Sequence, residues 1–260
     1  MSAINRQSYS AVRILGVFGC LVALGGCSQT ATHPDCANVV YDVHDPAEGI
    51  NRKVFAFNRV ADDYVIKPVA EGYEKLPQPV QDGVHNFVNN FSAPKVLVND
   101  VLQGNGVRAM TTIGRFTINT LLGAGGVFDT AERMGLAYHD ADFGQTFGVW
   151  GIGNGPAVEW PILGSANSRD SVGRVIDFAL SPFGSGNSDT VDALDTAQNI
   201  GGVVDGRAQA LPLTAKLERT PDYYSALRDN TGQRRAHFIA EGRSGQAVPS
   251  ELYQRCGFGK

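Results

Sequence analysis

Asp45-Pro46-Ala47-Glu48-Gly49-Ile50-Asn51-Arg52-Lys53-Val54-Phe55-Ala56-Phe57-Asn58 reads as the opening of a helix, and the rest of the chain repeats its pattern. Asp45 supplies an N-cap acid, Pro46 the first helical position, and Glu48 an acid three residues after the cap. Behind them Ile50, Val54, Phe57, Ala61 and Tyr64 recur every three or four residues and so share one helical face. Lys67-Pro68 is expected to end this helix, because the residue before a proline is pushed away from helical backbone.

Downstream, Val80, Val84, Phe87 and Phe91 mark a second helix from Pro79, with Asn86, Asn89 and Asn90 on its other side. A third is expected over Lys95 to Gln103, with Gly104 as its C-cap. In a fourth, Arg108 to Leu122, the apolar residues Met110, Ile113, Phe116, Ile118, Leu121 and Leu122 wrap more than one side, as in a buried or lipid-facing helix. From Phe143 the texture changes. Phe147, Val149, Trp150 and Ile152 alternate with small residues, and Asn154-Gly155-Pro156 turns the chain toward Val158, Trp160 and Ile162, which predicts a β-hairpin. Helical spacing resumes over Val172 to Leu180. A Gly184–Thr190 loop then precedes two longer polar helices, Val191 to Leu211 and Thr220 to Ala240, the second opened by Thr220-Pro221-Asp222. The expected fold is mainly α with one small β-hairpin.

Upstream, Arg6 and Arg13 precede a short apolar stretch from Ile14 to Leu24, closed by Leu24-Gly25-Gly26-Cys27. A cationic start, a short apolar core and small residues at the cut describe a bacterial lipoprotein signal peptide; a spanning helix needs ~20 apolar residues. Cys27 is the expected lipidation site, with Cys20 a poorer rival because bulky Phe18 precedes it. Ser28 follows Cys27, where aspartate would favour inner-membrane retention, so the outer membrane is the expected location. The predicted organisation is a signal peptide over 1–26, a lipidated flexible tether over 27–44, a helical domain over 45–242 and a mobile C-terminal tail over 243–260. Cys36 and Cys256 are the remaining thiols, either paired in an oxidising compartment or both free.

The formal net charge of −4 argues against nucleic acid, which wants a clustered basic face. No stretch after the signal reaches 18 apolar residues, so deeper membrane contact would need amphipathic helices. Catalytic patterns are missing as well. Ser171 has Arg169 where a nucleophile elbow needs glycine. The histidines His33, His44, His85, His139 and His237 show no paired metal-binding spacing, and the glycine clusters do not complete a phosphate loop. Asp140 and Asp142 flank no calcium-loop pattern. The reading is a non-enzyme with no cofactor and no metal.

Asp45-Pro46-Ala47-Glu48-Gly49-Ile50-Asn51-Arg52 with Phe55-Ala56-Phe57-Asn58 resembles the opening of the MlaA (VacJ) lipoproteins. The likeness continues through Leu102-Gln103-Gly104, the run Arg115 to Gly126, Phe143 to Gly148, Gly153 to Pro156, Pro161 to Ser165 with Arg169-Asp170, and Arg207-Ala208, covering about residues 45–240. The resemblance implies a ring of amphipathic helices in the periplasmic leaflet of the outer membrane around a central channel. It implies extraction of mislocalised phospholipid from the outer leaflet, hand-over to a soluble periplasmic carrier, and association with a trimeric porin. The alternative is an envelope scaffold that binds porins without moving lipid.

A polar path needs polar inner and apolar outer faces, and Asn51, Phe55, Asn58, Phe91, Phe116 and Asn119 are its candidates, against the plainer reading of core aromatics and capping asparagines. Gly123, Gly125 and Gly126 are a candidate hinge, a close helix crossing or an ordinary helix stop. Arg169 is a candidate head-group contact, though helix-start electrostatics or a local pair with Asp170 serves equally. Trp150 and Trp160, expected to face each other across the hairpin, suit an interfacial belt or core packing.

Overall fold

A computed structural model of the chain describes residues 43–179 and 189–245. The signal segment, Cys27, Cys36, Cys256, most of the 184–190 loop and the tail after Gly245 lie outside those residues. The described part is mainly helical with one small antiparallel sheet. In chain order the elements are α1 (Glu48–Ala61), a π-helical turn (Asp62–Ile66), α2 (Lys67–Tyr73), α3 (Gln78–Leu102), α4 (Gly106–Leu122), α5 (Thr130–Arg133), α6 (Phe143–Val149), β1 (Ala157–Trp160), β2 (Gly164–Asn167), α7 (Ser168–Ala179), α8 (Asp189–Leu217) and α9 (Tyr223–Ser244).

Five expectations change. The first helix does not stop at Lys67-Pro68: the π-helical turn absorbs the proline, whose missing N–H falls in the first turn of α2. The second and third expected helices are one element, α3, with Pro94 inside it. The hairpin lies later than expected. Phe143–Val149 is helical, and β1 pairs with β2 in the register Ala157 with Asn167 and Trp160 with Gly164. Trp150 and Trp160 therefore do not face each other across strands. Trp150 donates to Leu102 O at 2.9 Å, and Trp160 to Ser171 Oγ at 2.8 Å. Alternation of large and small residues suited a strand, but Asp142 caps Gln145 N at 2.7 Å and starts a helix instead.

Asp45 does not cap α1 either; Ala47 occupies that place without a side-chain bond. The Asp45 carboxylate instead accepts from Asn51 at 2.8 Å, Tyr224 at 2.5 Å and Arg228 at 3.1 Å, tying the start of the domain to α9. The expected Gly104 stop and Asp222 start hold, and Asn105 adds a cap that was not foreseen. Gly104 follows α3 in the left-handed region (φ 73°), Asn105 caps α4, and Asp222 caps α9.

Packing closes the elements on themselves. α1 lies on β1, β2 on α9, α9 on α8 and α8 on α2, which leads back through the π turn to α1; α3 bridges α4, α6 and α8. Among the described residues the interior carries many polar groups and the surface many large apolar ones. The largest fully buried side chains are Gln145, Asn99, Thr146 and Asp100, while Phe178 is 87% exposed and Leu121 75%. Helix α4 shows the cause. Arg108, Thr112, Arg115 and Asn119, spaced four, three and four apart, face inward, and Val107, Met110, Leu121 and Leu122 face out. Buried polar groups are stable only when hydrogen-bonded. Thr146 meets Asn99 at 2.6 Å and Gln103 at 3.0 Å, Thr112 meets Asp100 at 2.7 Å, and Arg115 reaches Asp129 at 2.5 Å. No helix among the described residues is long and apolar enough to cross a membrane.

Candidate functional site

Between the hairpin, α7, α9 and the chain leading into α6 lies a cavity of about 630 Å³. Arg174 enters it from α7, and Arg228, Arg234 and Arg235 from α9. Asp140 and Asp142 come from the α6 approach, and Asp170 from α7. The hairpin supplies small residues, Ala157, Ser165 and Ala166, which keep the space open.

The wall is braced by alternating charges. Arg235 donates to both oxygens of Asp142, at 2.6 and 2.7 Å, and through Nε to Asp170 at 2.8 Å. Arg169 then reaches Asp170 from the far side at 2.9 and 2.7 Å. Burial opposes charge on Arg235, but the two carboxylates outweigh it and hold the guanidinium above its ordinary pKa. The Asp142 carboxyl is held below the usual range, burial being outweighed by Arg235. The brace joins α6, α7 and α9. It is possible because α6 and α7 cross with almost no side chain between them: a Cβ on Gly173 would lie 2.2 Å from Gly144 N.

Behind Asp142, burial and then the Asp142 carboxylate push the Asp177 carboxyl up to about 6, against the pull of Lys95 and the Phe143 N–H. An unfolded aspartate titrates near ~3.9. Between those values the folded protein keeps a proton that the unfolded chain has released, so this group's contribution falls as pH rises through the window. Asp177→Asn is expected to raise stability by about 1–2 kcal/mol near pH ~7.5 and to leave it unchanged near pH ~3.5, where both states carry the proton. Urea unfolding at the two pH values measures the difference.

None of the candidates Asn51, Phe55, Asn58, Phe91, Phe116, Asn119 or Arg169 lines this cavity. Asn51 donates to Ala157 O at 3.1 Å and accepts from Glu159 N at 3.1 Å, fastening α1 to β1. Asn58 holds the hairpin tip, donating to Glu159 at 2.8 Å and to Trp160 O at 2.9 Å and accepting from Ile162 N at 2.7 Å. Phe55 sits edge-on to Tyr223 and Tyr224, and Phe91 stacks on Phe87. Phe116 and Asn119 come together beside Asn90 at a second cavity of about 20 Å³, room for a water molecule and not for a lipid head. Asn119 itself is taken up by Asp129 and Ala131 N. Arg169 is buried behind Asp170 and also donates to Ile152 O at 3.3 Å.

Gly123, Gly125 and Gly126 form a bonded turn after α4. Gly126 N donates to Asn119 O and Phe128 N to Gly123 O, both at 2.9 Å, and a Cβ on Gly126 would meet Asn90 at 2.6 Å. A hinge motion there would have to break those bonds. Arg174, Arg228, Arg234, Arg235 and Asp142 were missed in the sequence, Arg228 and Arg235 because their partners stand 183 and 93 residues away. The usable local signal was the glycine pair, Gly144 and Gly173, beside charged neighbours.

Residues 43–237 match the pattern of the family described as MlaA lipoprotein. An uncharacterised protein of Rickettsia felis is 43% identical over 148 residues, and the chain spans 59% of that relative's length. The chain is 33% identical over 240 residues to the intermembrane phospholipid transport system lipoprotein MlaA of Escherichia coli (strain K12), covering 88% of each. A solved structure described as the structural basis for maintenance of bacterial outer membrane lipid asymmetry superposes with a TM-score of 0.65 at 33% identity, over 75% of this chain and 98% of the other.

Proposed function

The chain belongs to the MlaA lipoprotein family, and from that premise we propose that it is an outer-membrane lipoprotein of intermembrane phospholipid transport. It takes phospholipid mislocalised to the outer leaflet and passes it to a soluble periplasmic carrier, standing against a trimeric porin and held by a lipid on Cys27. Lipid asymmetry of the outer membrane is the outcome of this traffic.

The observation that carries this reading is the charged cavity of about 630 Å³ inside a molecule that exposes many large apolar side chains. A phospholipid changing leaflets must bring a charged head through hydrocarbon, which costs many times the thermal energy for an unpartnered ion. Arginines and aspartates of the cavity replace the head group's hydration, while the exposed Val107, Met110, Leu121 and Phe178 offer the acyl tails apolar surface. No covalent chemistry is required of any residue.

Ala166 of β2 lines the cavity, and Ala166→Trp would put an indole into it while leaving every charged lining residue in the sequence. In a deletion strain, the wild-type gene is expected to restore low outer-leaflet phospholipid and detergent resistance. Ala166→Trp at equal abundance is expected to leave both at the deletion level. Unchanged surface phospholipid in the deletion strain would sink the transport reading, and porin copurifying with no lipid would favour the scaffold.

A further inference from the structure

The four arginines of the cavity are not equivalent. Arg228 is paired with Asp45 and Asp229, and Arg235 with Asp142 and Asp170. Arg174 donates only to the backbone carbonyls of Leu163 and Ser165, each at 3.2 Å, and Arg234 lies over the Phe238 ring at 5.3 Å. Carbonyl and ring contacts orient a guanidinium without neutralising it. Among the described residues, no carboxylate pairs with Arg174 or Arg234.

The same cavity holds an acid short of positive charge. The Asp140 side chain is 47% exposed, and its nearest cation, Lys95, stands 3.9 Å away, beyond hydrogen-bond length. Lys95 must also serve Asp142 and Asp177, which crowd the same end. Asp170, Asp142 and Glu159 act on Arg174 only from beyond contact, and burial still disfavours its charge, so the cavity presents two guanidinium groups with no carboxylate in ion-pair contact and one carboxylate whose cation stands off.

We infer that this cavity selects a zwitterionic phosphodiester head group, seating its phosphate on Arg174 and Arg234 and turning its ammonium to Asp140. The inference rests on the transport reading above and narrows its substrate. Guanidinium forks match phosphate oxygens. A head carrying only the phosphate charge would satisfy the arginines and leave Asp140 unmatched; an ethanolamine-type head satisfies both. Because Asp140 is half exposed, its discrimination is that of a partly screened ion pair, about fivefold.

The test uses the full-length lipoprotein incubated with vesicles of equal phosphatidylethanolamine and phosphatidylglycerol, with bound lipid identified by native mass spectrometry. Wild type is expected to hold the ethanolamine lipid in about fivefold excess. Asp140→Asn should bring the ratio to about one with total lipid retained, since only the ammonium partner is lost. Arg174→Gln with Arg234→Gln should lower both lipids by about tenfold or more, since two phosphate contacts are lost. Wild type holding both lipids in the vesicle ratio, or Asp140→Asn keeping the preference, would overturn the inference and leave the transport reading intact. No bound lipid of either kind would overturn both.

Discussion

Arg235→Ala should unfold the domain more readily than any other single truncation of a charged side chain, costing about 3–5 kcal/mol. The guanidinium is 17% exposed, and the carboxylates it joins are 21% exposed at Asp142 and 7% at Asp170. Removing it leaves Asp142 with no cation in hydrogen-bond contact and Asp170 with Arg169 alone, both carboxylates largely buried. Loss of a hydrogen-bonded buried cation is dominated by the charges left behind. Arg235→Lys should recover only part of the loss, because one ammonium cannot fork to Asp142 and reach Asp170 together. The denaturation midpoint of the detergent-solubilised protein, compared across wild type and both variants, measures the effect; a midpoint for Arg235→Ala within error of wild type would remove the brace from the account of stability.

The second large effect is expected at a position with no charge. Gly173→Ala adds one methyl group, which would lie 2.2 Å from Gly144 N and 2.6 Å from Gly144 Cα. Both contacts are backbone, so no side chain can swing away and α6 must separate from α7. Overpacking of this kind costs about 1–3 kcal/mol or more. The separation would also lengthen Arg235 to Asp170, so the two losses should couple. Gly49→Ala in α1 is the control: a Cβ there meets nothing within 4 Å, and relief of backbone entropy should stabilise the helix by about 0.5–1 kcal/mol. Thermal midpoints moving in opposite directions for the two substitutions would establish that the crossing, and not glycine content, is what α6 and α7 require.

Helix positions were legible because they depend on neighbours three and four residues away. Ile50, Val54 and Phe57 place α1, and Asp222 places the start of α9, whatever the rest of the chain does. Elements were misread where a distant partner changed the local answer. Phe143–Val149 alternates like a strand, yet Asp142 and the crossing with Gly173 make it a helix. Pro68 looks like a helix end, yet a π turn carries the backbone to it, and α3 runs on through Pro94 where two helices were expected. The candidate lining residues followed the same logic. Asn51, Asn58 and Asn119 were correctly picked out as polar groups among aromatics, but their partners, Ala157, Glu159, Asp129 and Ala131, turn them into fasteners of the scaffold.

The sequence by itself determined the helical content, the family and the mixture of apolar and polar faces, all of which are written in short-range periodicity and local motifs. Only the tertiary structure decided which face turns inward, because one periodic pattern serves a core of leucines or a core of hydrogen-bonded asparagines equally well until neighbouring helices are in place. It also decided which arginines keep a free charge. Neutralisation is a matter of a few ångströms between residues far apart in the chain, and no spacing in the sequence records it.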